Sequence, residues 1–294
     1  MPISIVNEGK MEEGVLMKKF LLLGFVGAFA AIAQEPTAEV PASNHSLDWS
    51  TDAGIRQDGD EQFVDYNFGH TYKLPEGYKI KSQVYFVTNR AKDTATNEWS
   101  DINYTHYYVR TTLSSPKLWD ILGFKTNYAL RYVLPTTEKL QKAGAYGVIS
   151  PRLVMEKEFS SYFNMTVLPI LSVQLNRNGY EYNVPVGSAK RNNLGNVLLE
   201  VVPQVKFTKN LTLTYDATFG LTVDGHGPAG QSDLQYYGYL IADTELLYNI
   251  EALGDLGVGI FHYTFVSKFG NGTNVKVYDD SNSYAGLRLS KKIF

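Results

Sequence analysis

Five histidines, His45, His70, His106, His226 and His262, are the first residues to weigh as metal ligands or general bases. Imidazole titrates near neutrality and binds metals readily. No two of them stand at metal-ligand spacing, and a lone strand histidine is ordinarily a packed residue. His262 and Thr264 lie two apart, which puts both on one face of a strand. A histidine so placed can activate a hydroxyl. Threonine is a poor substitute for serine in that role, and no orienting acid lies nearby in sequence. Asp58, Asp60 and Glu61, or Asp224 with His226, could be forced into an acid–histidine hydrolytic pair. Asp58-Gly59 reads more simply as a turn. Asp279 and Asp280 could meet calcium, but unspecifically. No phosphate-binding glycine loop, nucleophile elbow or HExxH motif occurs. The residues point away from an enzyme, and no cofactor or metal is expected.

Composition narrows the classes further. The chain has 294 residues, no cysteine and a formal net charge of −3. The missing cysteines remove disulfides and thiolate metal sites. A near-neutral charge with no basic cluster argues against a nucleic-acid partner. Tyr occurs 21 times and Phe 15 times. Mean hydropathy is −0.20, too polar for several apolar helical spans. A strand-built membrane protein escapes that limit, because only alternate residues face lipid. A soluble β-sandwich is the competing class for this composition.

The N-terminal region reads as an export signal. Lys18 and Lys19 precede an apolar run over 20–32, and Ala31-Ile32-Ala33 forms a cleavage site before Gln34. The run is too short to span a bilayer as a helix. An uncleaved apolar run anchoring a soluble domain is the alternative, and no cysteine follows it for a lipid anchor. Residues 1–16 fit no export signal, so Met17 is the expected start and 1–16 a mis-assigned extension. The expected division is 17–33 signal, 34–45 disordered lead-in and 46–294 the folded body. N-terminal sequencing of the exported protein should read from Gln34. Peptides from residues 1–10 in the precursor would contradict the Met17 start.

Beyond residue 45 the sequence alternates apolar and polar residues with period two. In 211–224 the residues Leu211, Leu213, Tyr215, Ala217, Phe219, Leu221 and Val223 share one face. Thr212, Thr214, Asp216, Thr218, Thr222 and Asp224 share the other. Segments 163–176 and 197–207 repeat the pattern, and 120–134, 145–158 and 281–290 follow it less strictly. These segments match or exceed the roughly 9–11 residues of a tilted bilayer-crossing strand and outlast ordinary globular strands. Short connections at 73–78, 114–119, 159–161, 208–210 and 250–254 alternate with long ones at 90–99, 135–143, 177–193, 224–233 and 270–280.

Long alternating strands and alternating short and long links resemble the outer-membrane β-barrel proteins of Gram-negative bacteria, a porin-like class. The resemblance covers 46–294 and includes the terminal Phe294, since such barrels commonly end in an aromatic residue. The class pattern departs at that end, because Arg288, Ser290 and Lys292 share the parity of Phe294, while Leu287 and Leu289 lie opposite. The resemblance implies an all-β, transmembrane, antiparallel up-and-down barrel of about 12 strands, within 10–14. An even count requires a weak first strand near 47–56. It also implies lipid and lipopolysaccharide as surroundings, the outer-membrane assembly machinery as the insertion route, and a monomer.

Strand parity places Lys125, Arg131, Arg152, Glu156, Glu200, Lys206, Asp216, Asp243, Glu245 and Arg288 inward. Inward charges need water or a partner. Either a water-filled pore solvates them, with opposed signs setting up a transverse field, or they pair into a plug. Balanced signs predict weak ion selectivity. The leading expectation is a channel for passive diffusion of small hydrophilic solutes. The alternatives are a non-conducting adhesive barrel that binds partners through loops such as 177–193, and a barrel hydrolase. Outer-membrane lipid hydrolases pair a histidine with a serine two residues on, which is why His262 and Thr264 stay in view. Pro151, Pro169 and Pro203 fall on the lipid face, where a local bulge or bend is expected. Tyr78, Tyr146, Tyr162, Tyr215, Tyr236 and Tyr248 gather near strand ends, as interfacial girdles or through simple strand propensity.

Overall fold

The computed structural model describes residues 44–93, 95–117, 119–134, 136, 145–176, 180–183, 188–191, 193–224, 235–269 and 282–293. The signal segment, nearly all of the lead-in, His226, Asp279, Asp280 and Phe294 lie outside the described residues.

Among the described residues twelve long strands form one antiparallel sheet. They are β1(His45–Arg56), β2(Glu61–Lys73), β3(Lys79–Ala91), β4(Asn103–Ser114), β6(Phe124–Leu134), β7(Ala145–Ser160), β8(Phe163–Asn176), β11(Asn193–Lys206), β12(Leu211–Asp224), β13(Gln235–Ile250), β14(Leu256–Phe269) and β15(Ser283–Lys292). Three short strands, β5(Trp119–Ile121), β9(Tyr180–Asn183) and β10(Ser188–Arg191), sit in connections. Every long strand pairs with its chain neighbours, including β4 with β6 across the β5 connection. β1 pairs with β15, from Asp48↔Lys292 to Arg56↔Tyr284, and that seam closes the barrel. Closure gives each of the twelve long strands a hydrogen-bonded neighbour on both sides, the condition for a sheet in hydrocarbon.

Segment 120–134 divides differently from its reading in sequence. Trp119–Ile121 turns back on Phe124–Thr126 through Leu122 and Gly123, both left-handed at φ 55° and 77°. The 115–123 connection is therefore a small hairpin. The first connection, 57–60, is tight although it lies at the rim of the long links. Asp58 accepts from Arg56 Nε and from the Asp60 amide, both within 2.9 Å. The Arg56 guanidinium holds the Asp58 carboxyl below its ordinary range.

The prolines behave differently from the expected bulge. Residue correspondence keeps one offset through Pro151 in β7, Pro169 in β8 and Pro203 in β11. A strand amide points to one neighbour only, so each proline removes one ladder bond without shifting register. Register shifts fall elsewhere, at Tyr85/Phe86, Ala145/Gly147, Glu158/Ser160, Asn193/Gly195 and Gly238/Tyr239.

The outer wall is apolar and solvent-accessible. Leu171, Val173, Val197, Leu199, Phe219, Leu221, Ile260 and Leu287 are all exposed. Leaving this area bare in water would be costly, whereas lipid covers it. Tyr162, Tyr248, Phe159 and Phe207 are exposed near the short-link rim, and Tyr146 near the other. The amphipathic tyrosine rings suit the headgroup level.

Candidate lumenal site

Register fixes which side chains share the interior. Asp52 on β1 stands opposite both Arg288 on β15 and Asp65 on β2. Asp65 stands opposite Val87 on β3, and Gln83 opposite Arg110 on β4. Thr112 faces Arg131 on β6, Ala129 faces Arg152 on β7, and Asp216 on β12 faces Asp243 on β13. Following the ladders around the ring puts all ten charged residues singled out in sequence on one parity.

Three of those ten meet at Arg288. Its Nε donates to Asp52 Oδ1 at 2.7 Å, while Nη2 donates to Asp52 Oδ2. Its Nη1 donates to Glu245, and Asp243 Oδ2 lies 3.5 Å from Nη2. One guanidinium therefore faces three carboxylates from β1 and β13. Bidentate geometry of this kind makes a strong, well-oriented ion pair. Beside it, Asp65 Oδ2 accepts from the Tyr85 hydroxyl at 2.6 Å, and Oδ1 from the Asp52 amide at 3.1 Å.

These groups border an interior cavity of about 760 Å³. Asp52, Asp65, Asp243 and Arg288 line it together with Tyr85, Tyr108, Phe261, Tyr263 and Tyr284. The Tyr85 and Tyr108 rings stack at 4.9 Å, and Arg288 lies 5.4 Å above the Phe261 ring. The cavity mixes fixed charge, hydroxyls and ring faces.

A different set occupies the strands opposite. Arg110, Arg131 and Arg152 come from β4, β6 and β7, which lie six places around the ring from β13, β14 and β15. Arg110 Nε donates to Gln83 at 2.8 Å and its guanidinium lies 5.1 Å from the Tyr108 ring. Arg131 Nε reaches the Thr112 hydroxyl at 3.3 Å. Arg152 is only 9% exposed, and its buried Nε has no hydrogen-bond partner. Among the described residues none of the three arginines has a carboxylate within ion-pair distance. Arg110, Arg152 and Glu200 lie within electrostatic range of Arg131, and Glu200 and Asp243 within range of Asp216. Glu200 thus bridges an arginine wall and a carboxylate wall in one belt of charge.

The remaining sequence candidates lie toward the short-link rim. Lys125 stands opposite Glu156, which pairs with Lys117 at 2.6 Å instead. Lys206 ends β11. Sequence reading missed Asp52, Asp65, Tyr85 and Arg110, because β1 to β4 carry apolar residues such as Phe63 and Val87 on the inward side too. His262 and Thr264 share the outward parity, and Thr264 Oγ1 lies 2.8 Å from Ser283 Oγ. Among the described residues no cluster of histidines and acids suits a metal ion.

No protein-family model matches the sequence, and no curated protein is similar to it. Solved structures do resemble the fold. The NanC porin is 10% identical, with a TM-score of 0.50 over 83% of this chain and 97% of its own. An outer-membrane channel from Pseudomonas putida F1 is 8% identical, with a TM-score of 0.51 over 88% and 99%. At such identities the likeness is one of fold. The architecture is that of a porin-like outer-membrane barrel: closed, twelve-stranded, apolar outside and charged within. A closed barrel of this kind crosses a membrane many times by its strands.

Proposed function

We propose that this barrel is a monomeric outer-membrane channel through which small hydrophilic solutes diffuse passively. The observation that carries the reading is the belt of inward charge beside an interior cavity. Within that belt Arg152 Nε and, at the cavity, Asp243 Oδ1 are buried with no hydrogen-bond partner among the described residues. Buried polar atoms without partners call for water or a polar solute. Arginines on one wall and carboxylates on the other set a field across the path, which orients dipolar solutes and orders water. An export signal over 17–33 and insertion by the outer-membrane assembly machinery complete the reading.

The arginine wall gives the test. In liposomes loaded with full-length protein, small sugars and amino acids should cause swelling. The double variant Arg131→Gln/Arg152→Gln should lower anion permeability relative to cation permeability, on the order of threefold, because it removes two fixed positive charges. Unchanged permeability ratios in a folded variant would remove those arginines from the solute path.

One observation favours a second reading. The β9–β10 hairpin pairs Tyr180 with Arg191 and Asn183 with Ser188 in the connection between β8 and β11. A structured external hairpin suits adhesion to a partner. Deleting 178–192 would then abolish binding while sparing the barrel. A hydrolytic reading would instead require lipid turnover that depends on His262.

A further inference from the structure

We propose that the outer wall carries a defined site for one phosphorylated glycolipid of the outer leaflet, with Arg90 holding a phosphate and the wall beside it an acyl chain. The proposal is independent of whether the lumen conducts. Register places Arg90 on the outward parity of β3, one residue before the strand's long-link end at Ala91. Among strand residues with described side chains, it is the one charged residue facing lipid in that half of the barrel. Lys157 and Lys291, the other outward cations among those side chains, lie near the opposite rim.

Its surroundings are built. Arg90 Nε and Nη2 donate to Gln62 Oε1 at 2.9 and 2.6 Å, and the guanidinium lies 4.8 Å from the Trp99 ring. The partners are a neutral amide and a ring face. Among the described residues no carboxylate lies within ion-pair distance of Arg90, and its Nη1 makes no hydrogen bond. A cation on a lipid-facing wall is costly unless it finds an anion or reaches the headgroup layer. Glutamine and tryptophan fix the guanidinium's orientation without neutralising it. Phosphate is the anion whose geometry such a fork matches.

The adjoining groove has a volume of about 440 Å³. Ala53, Ile55, Val64, Thr88 and Ala285 line it, and Ile102, 57% exposed, walls it from the 92–102 connection. An apolar trough ending at an oriented, unneutralised arginine complements an acyl chain with an anionic headgroup. Trp99 stands at the headgroup level, where its amphipathic ring belongs. Phosphorylated lipid A supplies both parts and faces this end of the barrel.

The test uses the full-length protein, purified in mild detergent, stripped of lipid and offered purified lipid A during native mass spectrometry. One lipid A should remain bound at low micromolar concentration. Arg90→Gln should weaken it about tenfold, as loss of a charge-assisted contact does. Ala285→Trp, which fills the trough, should weaken it comparably while leaving Arg90 in place. Dephosphorylated lipid A and phosphatidylglycerol should both bind at least tenfold less tightly. Heat-modifiable gel mobility confirms that each variant is folded. Equal retention by wild type and Arg90→Gln would overturn the phosphate contact. Equal retention of phosphatidylglycerol would overturn the glycolipid assignment.

Discussion

Replacing Arg288 with methionine should destabilise the barrel by about 3 kcal/mol, the lower end of what removing one partner of a buried ion pair costs. The lower end applies because the Arg288 side chain is still 22% exposed. The size of the effect comes from what remains. Asp52, Asp243 and Glu245 would face one another with no cation among them. Asp52 and Arg288 are also direct partners across the β1–β15 seam, so the variant loosens the point where the barrel closes. The urea midpoint of the protein in detergent micelles should fall accordingly. The quadruple variant Arg288→Met with Asp52→Asn, Asp243→Asn and Glu245→Gln should recover most of the loss, since it removes the three stranded charges along with the arginine. A single Arg288→Met variant within 0.5 kcal/mol of wild type would mean that water already neutralises the cluster.

Gly286→Ala should be comparably harmful for a steric reason. An added Cβ would lie 2.1 Å from the Ala53 carbonyl oxygen and 2.7 Å from the Gly54 Cα, both backbone atoms of the paired strand. Neither can rotate away, so the seam must widen or the strand must bend. Overpacking of this kind costs about 1–3 kcal/mol. Gly220→Ala supplies the contrast. There the obstacle is the Tyr239 ring at 2.2 Å, a side chain that can swing aside. Refolding yields judged by heat-modifiable mobility should drop much more for Gly286→Ala than for Gly220→Ala. Equal yields would show that the seam tolerates expansion.

The ladder from β7 through β12 was legible in sequence because its two walls differ sharply. Leu171, Leu199 and Phe219 repeat on one parity, and Gln174, Glu200 and Asp216 on the other. β1 to β4 were harder to read. Phe63 and Val87 share the inward wall with Asp65 and Asn89, while His70 and Arg90 face outward, so alternation gives no clear sign. The Asp52–Arg288 pair spans 236 residues, beyond the reach of any local pattern. Only closure of the ring brings those side chains together. The prolines make no bulge for a geometric reason, since a strand residue can lose one amide without losing register. The segregation of arginines from carboxylates followed from ring order, which places β4, β6 and β7 across from β13 and β15.

Single-channel recording in a planar bilayer tests the conducting lumen most directly. Full-length protein that shows heat-modifiable mobility should insert and give stable open steps. Their reversal potential in a salt gradient should shift toward cations when Arg131 and Arg152 are both made glutamine. A folded, inserted protein that stays electrically silent would contradict the channel and turn the inward charges into a plug.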